Sequence, residues 1–214
     1  MAIFNKGILG GFSGKTGSVV GSSWKGRAVM RSLPAKRANR VLTQAQLDQQ
    51  EKFKLTIAFL AGMADFLKIG FGGYASSISG YNAACSYNMQ RAITGLSSPF
   101  SIDFSQALVS TGSLPNAGAP TALAVAGNQV TFSWTSNAGI GKASATDQVM
   151  LVVHCPETGR SVYITGGAAR SGLTHTLDTS VFAGKLVETW IAFRSADGKL
   201  VSDSVYTGSL TLIP

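Results

Sequence analysis

The sequence predicts an α+β protein in three parts: an extended glycine-rich basic N-terminal arm, a helical hairpin, and an all-β sandwich. Three observations carry this prediction. The entire excess of positive charge lies in the first 47 residues, apolar residues recur at helical spacing from Thr43 to about Ile93, and the spacing changes to two after Pro99. The boundaries fall at 1–42, 43–114 and 115–214.

The arm is defined by charge and glycine. Of 18 basic residues, Lys6, Lys15, Lys25, Arg27, Arg31, Lys36, Arg37 and Arg40 precede the first acid, Asp48, and the remainder of the chain is balanced. So asymmetric a block predicts contact with nucleic acid, an anionic membrane surface or an acidic patch on another protein. Glycines at 7, 10, 11, 14, 17, 21 and 26 interrupt the segment, Pro34 breaks it, and only Val19-Val20, Trp24 and Ala28-Val29-Met30 have strand character. No core forms from these residues alone, so the arm is expected to lie on something. As an assembly arm it would use Val19, Val20, Trp24, Lys25, Arg27 and Arg31. As a nucleic-acid contact it would use Lys15, Lys25, Arg27, Arg31, Lys36, Arg37 and Arg40 on phosphates, with Trp24 stacking on a base.

The helical part begins at Thr43, where T-Q-A-Q makes a capping box with Gln46. Leu47, Phe53, Ile57, Leu60, Ala64 and Leu67 form one stripe, and Leu55, Phe59, Met63 and Phe66 a second. Together they predict a helix buried in its C-terminal half and ended by Gly70, Gly72 and Gly73. A second helix is expected from about Ala75 to Ile93, with Ile78, Tyr81, Cys85, Met89 and Ala92 on one side and Gly95 as its stop. The two should pack as a pair.

Phe100, Ile102 and Phe104 alternate with polar residues and read as a strand, and 114–120 reads as a linker. Seven segments follow, TALAVAG, NQVTFSWTS, DQVMLVVHC, RSVYITGG, THTLDT, KLVETWIAFRS and SDSVYTGSLTLI, separated by turn signals such as Ala126-Gly127-Asn128 and Asp197-Gly198. Seven short strands in about one hundred residues fit an immunoglobulin-like sandwich. Without a Cys-Trp-Cys pattern the fibronectin type III variety is favoured. Val130, Phe132 and Trp134 should point inward, while on the sixth strand Val187 and Thr189 compete with Glu188, Trp190 and Ala192 for the core face.

Several stretches carry a resemblance. GILGGFSGKTGSVVGSSWKGRAVMRSLP, the T-x-A-Q-L-x-Q-Q-x-K-F segment, YNAACSYNMQRAITG and SIDFSQALVSTGSL, together spanning residues 7–114, resemble an uncharacterised bacterial family known only as a domain of unknown function. The sandwich is then the expected C-terminal partner. G-x-V-V-G-x-x-W-K-G-x-x-V-x-R is also similar to stretches of small prophage-encoded proteins. The resemblance implies no activity.

Chemical motifs fail on spacing or context. GGFSGKTG is not a phosphate-binding loop, because the glycine that G-x-x-x-x-G-K-[ST] needs falls on Leu9. Ser22-Ser23-Trp24-Lys25 and Lys15-Thr16-Gly17 match two penicillin-recognising elements in reversed order, without the third. His154 and His175 lack a nucleophile elbow nearby, although His175 precedes Asp178 by three residues. His154 and Cys155 are adjacent on a strand and face opposite ways, which leaves no metal set. No catalytic residue, metal or cofactor is expected. Cys85 and Cys155 fall in different parts and are expected to be reduced. No recognisable signal peptide or membrane span is seen, so the expected location is the cytoplasm or an assembled particle. The predicted function is a non-enzymatic, self-assembling structural subunit whose arm docks on neighbouring copies. The alternatives are nucleic-acid binding through the arm, or protein or glycan binding through the sandwich loops. No small-molecule substrate is evident.

Overall fold

The computed structural model describes all residues except 1, 5–9, 25, 34–40, 75–77 and 97. Its contacts divide the chain into two compact units, Met1–Thr43 and Gln44–Pro214.

In the first unit, β1 (Ala2–Phe4), β2 (Phe12–Thr16), β3 (Val19–Trp24) and β4 (Arg27–Ser32) form an antiparallel sheet in that order. The segment expected as an extended arm is thus folded on itself. Its glycines serve the turns and one close approach. Gly17 takes φ +57° in the two-residue turn between β2 and β3, a conformation other residues adopt at a cost. At Gly21 a Cβ would stand 2.3 Å from the Phe12 carbonyl oxygen and 2.6 Å from its ring. Among the described residues of this unit, Gly21 alone is buried.

The second unit opens with α1 (Gln44–Ala61), which starts directly after the expected Thr43 cap. Its first half is exposed and its end is buried through Thr56, Phe59 and Leu60, as the merging stripes predict. The expected single helix is broken, and α2 (Ala64–Gly70) follows as a separate element. Gly62 lies in the break, where a Cβ would sit 3.0 Å from the Gly159 oxygen and the Ser161 nitrogen. The close approach of that backbone leaves room there only for glycine. α3 (Gly80–Arg91) is capped by Ser79, whose hydroxyl accepts the Asn82 N–H at 3.3 Å, and the expected start at Ala75 lies outside the described residues.

A two-stranded ribbon of β5 (Ile93–Thr94) and β6 (Ser101–Ile102) links the helices to the strands. All seven predicted strands then occur: β7 (Gly118–Val125), β8 (Gln129–Thr135), β9 (Gln148–Cys155), β10 (Arg160–Ile164), β11 (Thr174–Asp178), β12 (Leu186–Arg194) and β13 (Val205–Thr211). They form two antiparallel sheets, ordered β10-β9-β12-β13 and β11-β8-β7.

These sheets and the helices make three layers with two cores. Val130, Phe132 and Trp134 of β8 meet Val149, Leu151 and Val153 of β9 and Val187, Ile191 and Phe193 of β12 between the sheets. On the other side of the β9 and β12 sheet, Met150, Val152, Trp190 and Ala192 meet Phe59, Leu60, Met63, Phe66 and Leu67 from the helices. Both candidate faces of β12 are therefore buried, which resolves the competition between Val187 and Trp190. Cys85 lies in the helical core and Cys155 between the sheets, both as free thiols.

Buried polar groups lock the layers. Asn88 of α3 donates to the carbonyls of Ala84 and Leu108 at 2.9 and 2.8 Å and accepts the Leu108 N–H at 3.0 Å. Trp190 Nε1 donates to the Ala107 carbonyl at 3.1 Å, and Ser204 Oγ accepts the Val109 N–H at 2.9 Å. At one end of the sheets, fully buried Arg170 pairs with Asp147 at 3.1 Å, donates to the Asn116 and Pro115 carbonyls, and lies 3.8 Å from the Phe193 ring centroid.

Candidate functional site

Register fixes which side chains of the N-terminal sheet share a face. Lys15 pairs with Val20 and Val20 with Arg31, so these three form one row across β2, β3 and β4. Trp24 pairs with Arg27. Alternation along each strand then places Lys15, Val20, Ser22, Trp24, Arg27, Val29 and Arg31 on a single face. Arg31 Nη2 lies 3.5 Å from Ser22 Oγ, as that parity requires. The opposite face carries Phe12, Val19, Gly21, Ala28 and Met30.

Of the predicted assembly set, Val20, Trp24, Arg27 and Arg31 are brought together, and Val19 is placed on the other side. Of the predicted nucleic-acid set, Lys15, Arg27 and Arg31 share the face with Trp24. Lys25, Lys36, Arg37 and Arg40 lie outside the described residues. The cationic face is open, with Trp24 64% exposed, and on the reverse Met30 is 70% exposed. No acid occurs before Asp48 to neutralise it. Lys15 and Thr16 belong to β2, an extended strand, so the segment that suggested a phosphate loop is part of this sheet. Ser22 and Ser23 are consecutive residues of β3 and point to opposite faces.

A second cluster of reactive groups lies on the helix-facing side of the body. Ser161, His154 and Glu188 are direct neighbours across β10, β9 and β12. The Ser161 hydroxyl is 2.9 Å from His154 Nδ1, and the Tyr206 hydroxyl donates to Glu188 Oε2 at 2.5 Å. Spacing alone would call this a Ser-His-Glu row. Phe59 and Phe104 pack against the imidazole with centroids at 5.1 and 6.0 Å, and burial lowers the His154 pKa to about 4. Such an imidazole is a weak base for a serine proton. Burial, and then the bond to Glu188, push the Tyr206 hydroxyl well above its usual range. The row is the polar pairing of a covered sheet face. His175 accepts the Ala168 N–H at 3.3 Å, while Asp178 accepts the Ser180 N–H, so these two do not engage each other.

Residues 11–208 match the model of DUF6266, a family of unknown function. The chain belongs to that family. The DUF6266 match begins at β2 and ends within β13, so it takes in both compact units and extends well past the 7–114 stretch that carries the resemblance. No curated protein matches the sequence. None of the described DUF6266 helices is long and apolar enough to cross a membrane. Among the described residues no group of three or more His, Cys, Asp or Glu side chains is placed to hold a metal ion.

Proposed function

We propose that this protein is a non-enzymatic, self-assembling structural subunit, of a filament, tube or virion-like particle, whose N-terminal sheet docks on a neighbouring copy. One observation carries the proposal: a four-stranded sheet in which the sole buried residue among those described is a glycine. A sheet is stable when one face is buried against a second layer. Trp24 and Val20 on one face, or Met30, Phe12 and Val19 on the other, supply the apolar surface that such a layer would cover. The partner's chemistry follows from charge. All ten acids lie at or beyond Asp48, so the body of another copy supplies carboxylates for Lys15, Arg27 and Arg31.

Supporting the inferred immunoglobulin-like, fibronectin type III-like architecture is the strand order, with β7, β8 and β11 in one sheet and β9, β10, β12 and β13 in the other.

Nucleic acid is the second reading, favoured by a specific feature: three cations and an exposed indole share one face. The two readings separate by experiment. A structural subunit gives regular assemblies in negative stain without added ligand, and Trp24→Ala weakens them strongly because a buried interfacial indole commonly contributes a few kcal/mol. A nucleic-acid binder copurifies with nucleic acid and loses affinity steeply with salt. A salt-insensitive monomer would defeat both.

A further inference from the structure

The second unit contains an open cleft of about 530 Å³, remote in sequence from the N-terminal sheet and lined from three segments. Lys68 and Ile69 come from α2 with Gly72 and Gly73 just beyond it, Thr111, Gly112 and Ser113 from the strand-linking segment, and Arg194, Gly198 and Lys199 from the end of β12 and the turn after it. No lining residue is acidic.

Arg194 is the feature that asks for a ligand. Its Nε is buried and has no hydrogen-bond partner among the described residues, and its guanidinium enters no ion pair with them. A buried donor without an acceptor is costly, and a guanidinium carries five donors in a fork matched to carboxylate or phosphate. The fold nevertheless makes room for it. At Gly198, which takes φ +75°, a Cβ would lie 2.6 Å from Arg194 Nη2, so a side chain there would displace the guanidinium. The nearby carboxylates are otherwise engaged. Asp203 accepts from Thr111 Oγ1 at 2.7 Å and the Gly112 N–H at 2.9 Å, Asp65 pairs with the Lys68 ammonium at 2.6 Å, and Asp197 accepts the Ser195 hydroxyl at 2.6 Å and the Lys199 N–H at 3.1 Å and pairs with the Lys199 ammonium at 3.6 Å.

The geometry points to an oxyanion site in this cleft, in which the Arg194 guanidinium receives the carboxylate or phosphate group of a small molecule, with Lys68 and Lys199, paired to Asp65 and Asp197, on the cleft wall. The volume exceeds that of a bare oxyanion, and Ile69, Leu200 and Val201 offer apolar wall for a short organic body.

The test is titration of the full-length protein with inorganic phosphate and, separately, succinate, at fixed ionic strength, followed by the Arg194 Nε–H resonance and by calorimetry. A saturable shift of that resonance is expected with at least one of the two anions, and which one responds assigns the oxyanion. Arg194→Gln should weaken binding at least tenfold. Lys199→Gln, at an exposed position that leaves packing intact, should weaken it about threefold, and Lys15→Ala on the N-terminal sheet should leave it unchanged. Absence of saturable binding by either anion overturns the site. So does binding that survives both cleft substitutions, or that is lost with Lys15→Ala. None of these outcomes depends on whether the chain assembles.

Discussion

Acidification should weaken the body of this protein through a single imidazole. His154 is 2% exposed, bonded through Nδ1 to the Ser161 hydroxyl and held against Phe59 and Phe104, and burial lowers its pKa to about 4. In the unfolded chain the same group titrates near 6.5. The folded state therefore binds fewer protons than the unfolded state between these values, and stability must fall as pH drops through that window. The contribution is fully present above about pH 6.5 and is lost by about pH 4. A difference of roughly 2.5 pH units corresponds to about 3 kcal/mol, a large share of the 5–15 kcal/mol typical of a domain. Urea unfolding of wild type and His154→Asn at intervals from pH 7.5 to 4 isolates the effect. Asparagine can still meet the Ser161 hydroxyl, carries no titrating group, and leaves every carboxylate contribution common to both proteins. The wild-type minus variant stability should decline by about 3 kcal/mol across the window. Parallel pH profiles, or a His154 imidazole resonance, assigned by its loss in His154→Asn, that titrates near 6.5, would refute the assignment of a dry, neutral His154.

Two further substitutions probe the polar locks. Arg170→Met leaves the Asp147 carboxylate buried without its cation and should cost about 3–5 kcal/mol in urea unfolding at pH 7, with much of the loss recovered by adding Asp147→Leu; a cost below about 1 kcal/mol would show the pair to be solvated. Asn88→Ala strands both polar groups of Leu108 and should cost about 2–3 kcal/mol, with faster amide exchange around 107–110 and little change at β8; unchanged exchange there would contradict the role given to Asn88.

The strands were legible because period-two alternation and turn residues are local signals. Val130, Phe132 and Trp134 face the core as their alternation requires. The ambiguity on β12 was itself informative: residues on both of its faces look apolar because the strand lies between helices and a second sheet, as does β9, buried at every position from Val149 to Cys155. The need for glycine at position 62 was hidden, since it comes from the close approach of Gly159 and Ser161, nearly one hundred residues away. The N-terminal meander was hidden too, because a glycine-rich basic segment reads as an arm until the pairing of Lys15 with Val20 and Val20 with Arg31 is known. That same register was needed to see that three cations share a face with Trp24. The Arg194 cleft could not be read from sequence at all, as positions 68, 111, 194 and 199 meet only in the fold.

Light scattering and negative-stain microscopy of the full chain beside residues 44–214 test the central claim most directly. The shorter chain keeps both hydrophobic cores, because every residue of those cores lies beyond Thr43. The account predicts regular assemblies from the full chain, their strong weakening by Trp24→Ala, and a folded monomer from residues 44–214. A full chain that remains monomeric at high concentration, or a truncated chain that assembles equally well, would contradict it.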